Sequence, residues 1–232
     1  MSAASDNRVS LGLLKLLGPP LRRSILRHYN PDSCVASSAI GKLVMEGLGI
    51  PCEPISVKVM LANVQWLNRA QAAGHVPQSR EETERWFIES GAHAIGLGVP
   101  ERNNPDIPPS INGLHVALLV DGGYVWDLSI DQASRPLHGI VIREPFLGDI
   151  SHSPRRRKFL RGQEQITWEA PGQGLIVYTI KPTDHRYEQH VNWRADGHDA
   201  DKRRAIAGEA LLALRGLLAA REVGAEGDEF AG

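Results

Sequence analysis

Residues 114–127 read LHVALLVDGGYVWD, from Leu114 to Asp127. Leu114–Val120 is a compact apolar run of β-forming residues, Asp121-Gly122-Gly123 is turn chemistry, and Tyr124–Leu128 is a second apolar run. Two such runs joined by a D-G-G turn predict a β-hairpin. In that hairpin, positions whose numbers sum to about 244 lie opposite each other. Asp127 then falls near Ala117, two residues from His115. Side chains alternate across a strand, so 115, 117 and 127 share one face. An aspartate diagonal to a histidine can fix its imidazole in tautomer and orientation.

Upstream, Asn30-Pro31-Asp32-Ser33 is turn and helix N-cap chemistry. A helix is predicted from about Cys34 to Glu46, with Val35, Ala39, Ile40, Leu43 and Val44 at helical spacing and Gly47, Gly49 and Pro51 ending it. Cys34 thus stands at a helix N-terminus. Unpaired first-turn amides and the helix dipole favour a thiolate there, and those amides could donate to an oxyanion. A buried structural cysteine is the plainer reading of Cys34 alone. Together with His115 and Asp127 it makes a candidate nucleophile, base and orienting residue, with Asp131 as a fallback third member. Cys52, at a strand start, is read as structural.

The pattern around these residues resembles the transglutaminase-like proteins and the related arylamine N-acetyltransferases, members of the papain-like cysteine superfamily. There a cysteine opens a helix leading through a G-I-P turn into a strand, and later strands bring histidine and then aspartate. Here Cys34-Val-Ala-Ser is followed by Gly47-Leu-Gly-Ile-Pro-Cys-Glu-Pro-Ile-Ser-Val-Lys-Val59, then by His115 and Asp127. The similarity covers roughly residues 30–135. Asp32-Ser33 stand where the family usually has Gly or an aromatic residue, and the stretch 62–113 is an insertion before the histidine strand. The resemblance implies a cysteine hydrolase or acyltransferase acting on a peptide, amide or acyl substrate, without metal or organic cofactor. A catalytically inactive binding module on the same scaffold is the alternative.

The rest of the chain fits one α+β domain. Its expected core is papain-like: N-terminal helices, with the nucleophile at a helix start, pack on an antiparallel sheet. The catalytic domain is placed at 1–195, and a C-terminal helix with an acidic tail at 196–232. Leu11–Leu17 and Leu21–His28 read as two short helices separated by Pro19-Pro20. Ile55–Leu61 has strand period, Val64–Ala73 and Arg80–Ser90 read as helical, Val99–Ser110 as a proline-rich loop, and Leu175–Lys181 as a strand. Asp201–Glu222 is an amphipathic helix. Trp66, Trp86 and Phe87, inside the insertion, are packing residues or the wall of an acyl pocket. Gln132 and Arg135, in the polar loop after Asp127, are candidates for substrate contact or for turn chemistry alone.

Bulk properties narrow the class. The chain has 232 residues, net charge -1 and two cysteines, so neither a strong field for nucleic acid nor a disulfide framework is expected. With no recognisable signal peptide or membrane span, a cytoplasmic protein is expected. The basic segment 155–161 reads as a solvated face, its alternative use being contact with a partner or nucleic acid. Among nine histidines, His185, His190 and His198 complete no recognised ligand motif, and no metal is expected.

Overall fold

The computed structural model describes residues 11–100, 112–170, 174–197 and 199–228. In chain order these form α1 (Leu11–Leu26), α2 (Cys34–Gly47), β1 (Cys52–Ala62), α3 (Val64–Ala73), α4 (Arg80–Ser90), β2 (Ala94–Leu97), β3 (Val116–Val120), β4 (Tyr124–Asp127), β5 (Phe146–Asp149), α5 (Arg156–Leu160), β6 (Ile166–Ala170), β7 (Gly174–Ile180) and α6 (Ala200–Asp228). The class is α+β, and every strand pairing is antiparallel.

The D-G-G hairpin forms in the expected register: Leu118 faces Trp126 and Val120 faces Tyr124. Asp121 and Gly122 have φ of 49° and 59°, so two of the three turn residues are left-handed, a conformation open to Asp and Gly. The sheet runs β5-β4-β3-β1-β7-β6. β1 is the shared strand. Its first half, Cys52–Ser56, pairs with β3; its second half pairs with β7 on one edge and β2 on the other.

Alternation sends the two faces into different cores. Leu118, Val120 and Trp126 pack under α1, α2 and α6 with Leu14, Leu21, Ile40, Val44 and Ile206. Ala117, Leu119 and Val125 face the other way, with Val57, Val59 and Tyr178. The C-terminal helix is therefore a wall of the first core. Ser38 of α2 donates through Oγ to the Val116 carbonyl at 2.9 Å, fixing the start of α2 beside the start of β3.

Several expectations need correction. Pro19 and Pro20 do not divide the N-terminal region: α1 runs through both. A proline in a helix interior costs about 3 kcal/mol. Here Leu14, Leu17, Leu21 and Ile25 share one buried face, and each such burial returns about 1.5–3 kcal/mol. Strands β2, β5 and β6 were not foreseen. The insertion 62–113 contains α3, α4 and β2, and its proline-rich loop lies outside the described residues beyond Pro100. The tail after Asp228 also lies outside them.

Candidate active site

Each site residue is placed by a local feature of the fold. His115 immediately precedes β3, and its carbonyl accepts the Val57 N–H at 2.9 Å, tying it to the middle of β1. Asp127 ends β4, opposite Phe146 of β5. Cys34 is the first residue of α2, and its Sγ lies 3.9 Å from the Leu114 carbonyl oxygen. The histidine and aspartate meet: His115 Nε2 and Asp127 Oδ2 are 2.8 Å apart, and the two residues are 2% and 0% exposed.

Asp127 is saturated with donors. Tyr178 Oη donates to Oδ2 at 2.8 Å, while the Ser129 N–H and Oγ donate to Oδ1 at 3.0 and 3.2 Å. Burial pushes the carboxyl up, but the adjacent His115 and these hydrogen bonds outweigh it and hold Asp127 below the ordinary aspartate range. For His115, burial pulls the imidazole down. Asp127, by charge and hydrogen bond, and then Cys34 carry it the other way, to about 10. The imidazolium is thus the favoured form at neutral pH. With Nε2 on Asp127, Nδ1 is the nitrogen left for chemistry.

Cys34, His115 and Gln132 line one cleft of about 490 Å³. Its walls include Asp32, Asn112, His190 and Asn192, and Gly96, Leu97, Gly98 and Val99 bring part of the 62–113 insertion to the site. Trp66 and Trp86 do not. They are buried against each other edge-to-face, ring centroids 5.5 Å apart, in a separate small core with Ala62 and Ala92. Phe87 packs on His93 and His138. Trp66, Trp86 and Phe87 are all absent from the cleft lining.

The cap before Cys34 differs from expectation. Ser33 Oγ donates back to the Asn30 carbonyl at 2.6 Å and makes no side-chain cap. The Cys34 N–H points to the Asp32 carbonyl at 3.0 Å. Asp131, the fallback third member, is engaged elsewhere: it forms an ion pair with Arg22 at 2.7 Å. Cys52 is a free thiol that burial, chiefly, pushes up to about 12.

Compared with protein-family models, curated proteins and solved structures, the chain matches none.

Of the remaining candidates, His190 stays on the cleft wall, whereas His185 and the basic segment do not line it. Among the described residues no group of three or more His, Cys, Asp or Glu could hold a metal ion. His185 faces Glu188, His190 accepts the Asn192 N–H, and His198 lies outside the described residues. In the basic segment, Phe159 is buried, Arg156 donates to the Gly122 carbonyl at 2.8 Å and Arg155 pairs with Glu164. No helix among the described residues is long and apolar enough to cross a membrane.

Sequence reasoning missed Tyr178 and Arg22. Tyr178 is the one polar tip in the apolar stretch LIVY, which is a signal for a buried hydroxyl needing a partner, though nothing local names Asp127. Arg22 is buried and donates to Asp131, to Ser37 Oγ and to the Pro31 carbonyl. The Asp127-Leu128-Ser129 spacing was a readable clue to the Ser129 contacts, since Asp side chains commonly bond the backbone two residues on.

Proposed function

We propose that the chain is a cysteine-dependent acyl-transfer enzyme of papain-like, transglutaminase-like design. The single supporting observation is a thiol at a helix start sharing a cleft with a buried imidazole whose far nitrogen is held by a multiply bonded carboxylate. In this reading Cys34 is a thiolate beside the His115 imidazolium. Sulfur attacks the carbonyl carbon of an amide, ester or thioester, and the π pair moves to oxygen. As the tetrahedral centre collapses, the bond to the leaving group breaks and that group takes the proton from His115 Nδ1. Neutral His115 then removes a proton from water or an amine, which attacks the thioester and regenerates the thiolate. Asp127 stays ionised and holds the ring throughout.

Iodoacetamide tests the reading directly, with glutathione as the ordinary-thiol control. At pH 7 Cys34 should alkylate roughly tenfold or more faster than glutathione, and His115→Ala should remove most of that advantage. Alkylation of Cys34 no faster than an ordinary free thiol would count decisively against it. A panel of acyl electrophiles, compared between the wild type and Cys34→Ala, then assigns the acyl class.

A further inference from the structure

The cleft around Cys34 carries a charge imbalance. Among the described residues that line it there is no lysine or arginine; the ionisable side chains are Tyr29, Asp32, Cys34, His115 and His190. Burial, then Asp199, raises the Tyr29 hydroxyl above its ordinary range, so it stays neutral at pH 7. Burial, then Arg203, lowers His190, whose Nδ1 accepts the Asn192 N–H at 3.1 Å; the neutral ring with its proton on Nε2 is the form that fits. The His115 imidazolium is balanced by Asp127 at 2.8 Å, and a thiolate at Cys34 adds negative charge. What remains is the Asp32 carboxylate.

Asp32 is exposed, and its side chain has no hydrogen bond or ion pair among the described residues. Its backbone, by contrast, is held. The Asp32 carbonyl faces the Cys34 N–H at 3.0 Å, and the Pro31 carbonyl accepts from Arg22 Nη2 at 2.7 Å. The Asn30 carbonyl accepts both the Ser33 N–H at 3.1 Å and Ser33 Oγ at 2.6 Å. Two residues span at most about 7 Å, so the Asp32 Cα stays within that reach of the Cys34 Cα. Cations behind the wall are committed. Arg22 pairs with Asp131, Arg203 donates to the carbonyls of Val191 and Arg194, and Lys202 Nζ lies over the Tyr29 ring, 4.4 Å from its centroid. The Asp32 carboxylate is thus an uncompensated charge on a held turn beside the nucleophile.

Resting on the acyl-transfer reading above, we propose that the cleft takes acyl donors carrying an ammonium or guanidinium group near the reacting carbonyl, and that Asp32 is the specificity residue that binds this group. A guanidinium meets an open carboxylate with two parallel N–H donors, and an ammonium meets it as a point charge. A donor bearing phosphate or carboxylate groups meets like charge instead, with no lysine or arginine in the described lining to hold it.

Charged methanethiosulfonates read the charge without acyl chemistry. The Cys34 thiolate attacks the reagent's sulfenyl sulfur, a disulfide forms and methanesulfinate leaves. At low ionic strength the trimethylammonioethyl reagent should modify Cys34 about tenfold faster than the sulfonatoethyl reagent, after division by the same ratio for mercaptoethanol. Asp32→Asn should erase this preference. Asp32→Lys should reverse it, an outcome that loss of the fold does not produce. A preference unchanged in Asp32→Asn, or a wild type that favours the anionic reagent, would overturn the proposal. Acyl donors supply the second readout. The half-saturating concentration for the nitrophenolate burst should be about fivefold lower for p-nitrophenyl p-guanidinobenzoate than for the neutral p-acetamidobenzoate ester. Asp32→Asn should remove that difference through this concentration rather than through the maximal burst rate. Equal values for the two esters in the wild type would also overturn the proposal. A wild type acylated by neither ester, yet still preferring the cationic thiol reagent, overturns the acyl-transfer reading and leaves Asp32 as the cation-binding residue of the cleft.

Discussion

At the scale of single residues, the His115–Asp127 pair joins chemistry to stability. His115 has a folded value near 10 against about 6.5 for the unfolded chain. A raised value contributes stability that is fully present below the unfolded value and lost as pH rises through the folded one. Asp127 is lowered, so its contribution is present above about 3.9 and lost as pH falls through its folded value. The difference in melting temperature between wild type and His115→Gln should therefore be largest near pH 5–6 and shrink steadily toward pH 10. A difference that grows with alkalinity would show the imidazole to be buried neutral. The meeting of His115 with Asp127 and the place of Cys34 at a helix start were legible because their parts announce themselves locally: a turn before Cys34, a D-G-G turn fixing register, and the parity that brings 115 and 127 together. Tyr178 was illegible for the opposite reason. Its hydroxyl reaches Asp127 across β7 and the sheet interior, a meeting set by tertiary packing rather than by any local pattern.

Among the elements, the approach of β2 to β1 governs the histidine side of the cleft. Gly98 has φ of 67°, and a Cβ there would stand 2.1 Å from the Val57 carbonyl oxygen and 3.1 Å from the His115 Cβ. Lys181 Nζ donates to the carbonyls of both Gly98 and Gly113, at 2.6 and 2.7 Å, closing the base of the segment between them. Gly98→Ala should therefore combine left-handed strain with a backbone clash, costing at least about 2 kcal/mol, and should slow Cys34 alkylation by displacing His115. Gly74→Ala is the matched control: φ is 73° but nothing lies within 4 Å, so only about 1 kcal/mol is expected. Denaturant midpoints for the two variants check the contrast; equal shifts would mean that β2 yields freely. The edge strands β2, β5 and β6 were hard to read from sequence for related reasons. β2 and β5 have four residues each, both interrupted by glycine, and β6 is only five residues long. α1 misled in the other direction, because burial of one leucine-rich face overrides two prolines.

Across the whole molecule, Arg22 is the point where separate regions are held in register. From α1 it grips α2 through Ser37, the approach to Cys34 through Pro31, and the turn after β4 through Asp131. Arg22→Met strands the largely buried Asp131 carboxylate and should cost about 3 kcal/mol. Adding Asp131→Asn, which removes the stranded charge, should recover part of that loss. A single variant within about 0.5 kcal/mol of wild type would show the network to be ornamental. β1 carries a consequence of a different kind. Its second half pairs with β7, so that Val57 meets Ile180, and the same late segment delivers Tyr178 to Asp127. A ribosome releases Cys34, His115 and Asp127 well before β7 and α6. During synthesis the growing chain holds these three residues while the strand that brings Tyr178 to the carboxylate and the helix that walls the first core are still missing. On the acyl-transfer reading proposed above, pairings so distant in sequence, which form late, place the arming of the thiol among the last events of biogenesis and keep it quiet while unfinished polypeptide surrounds it.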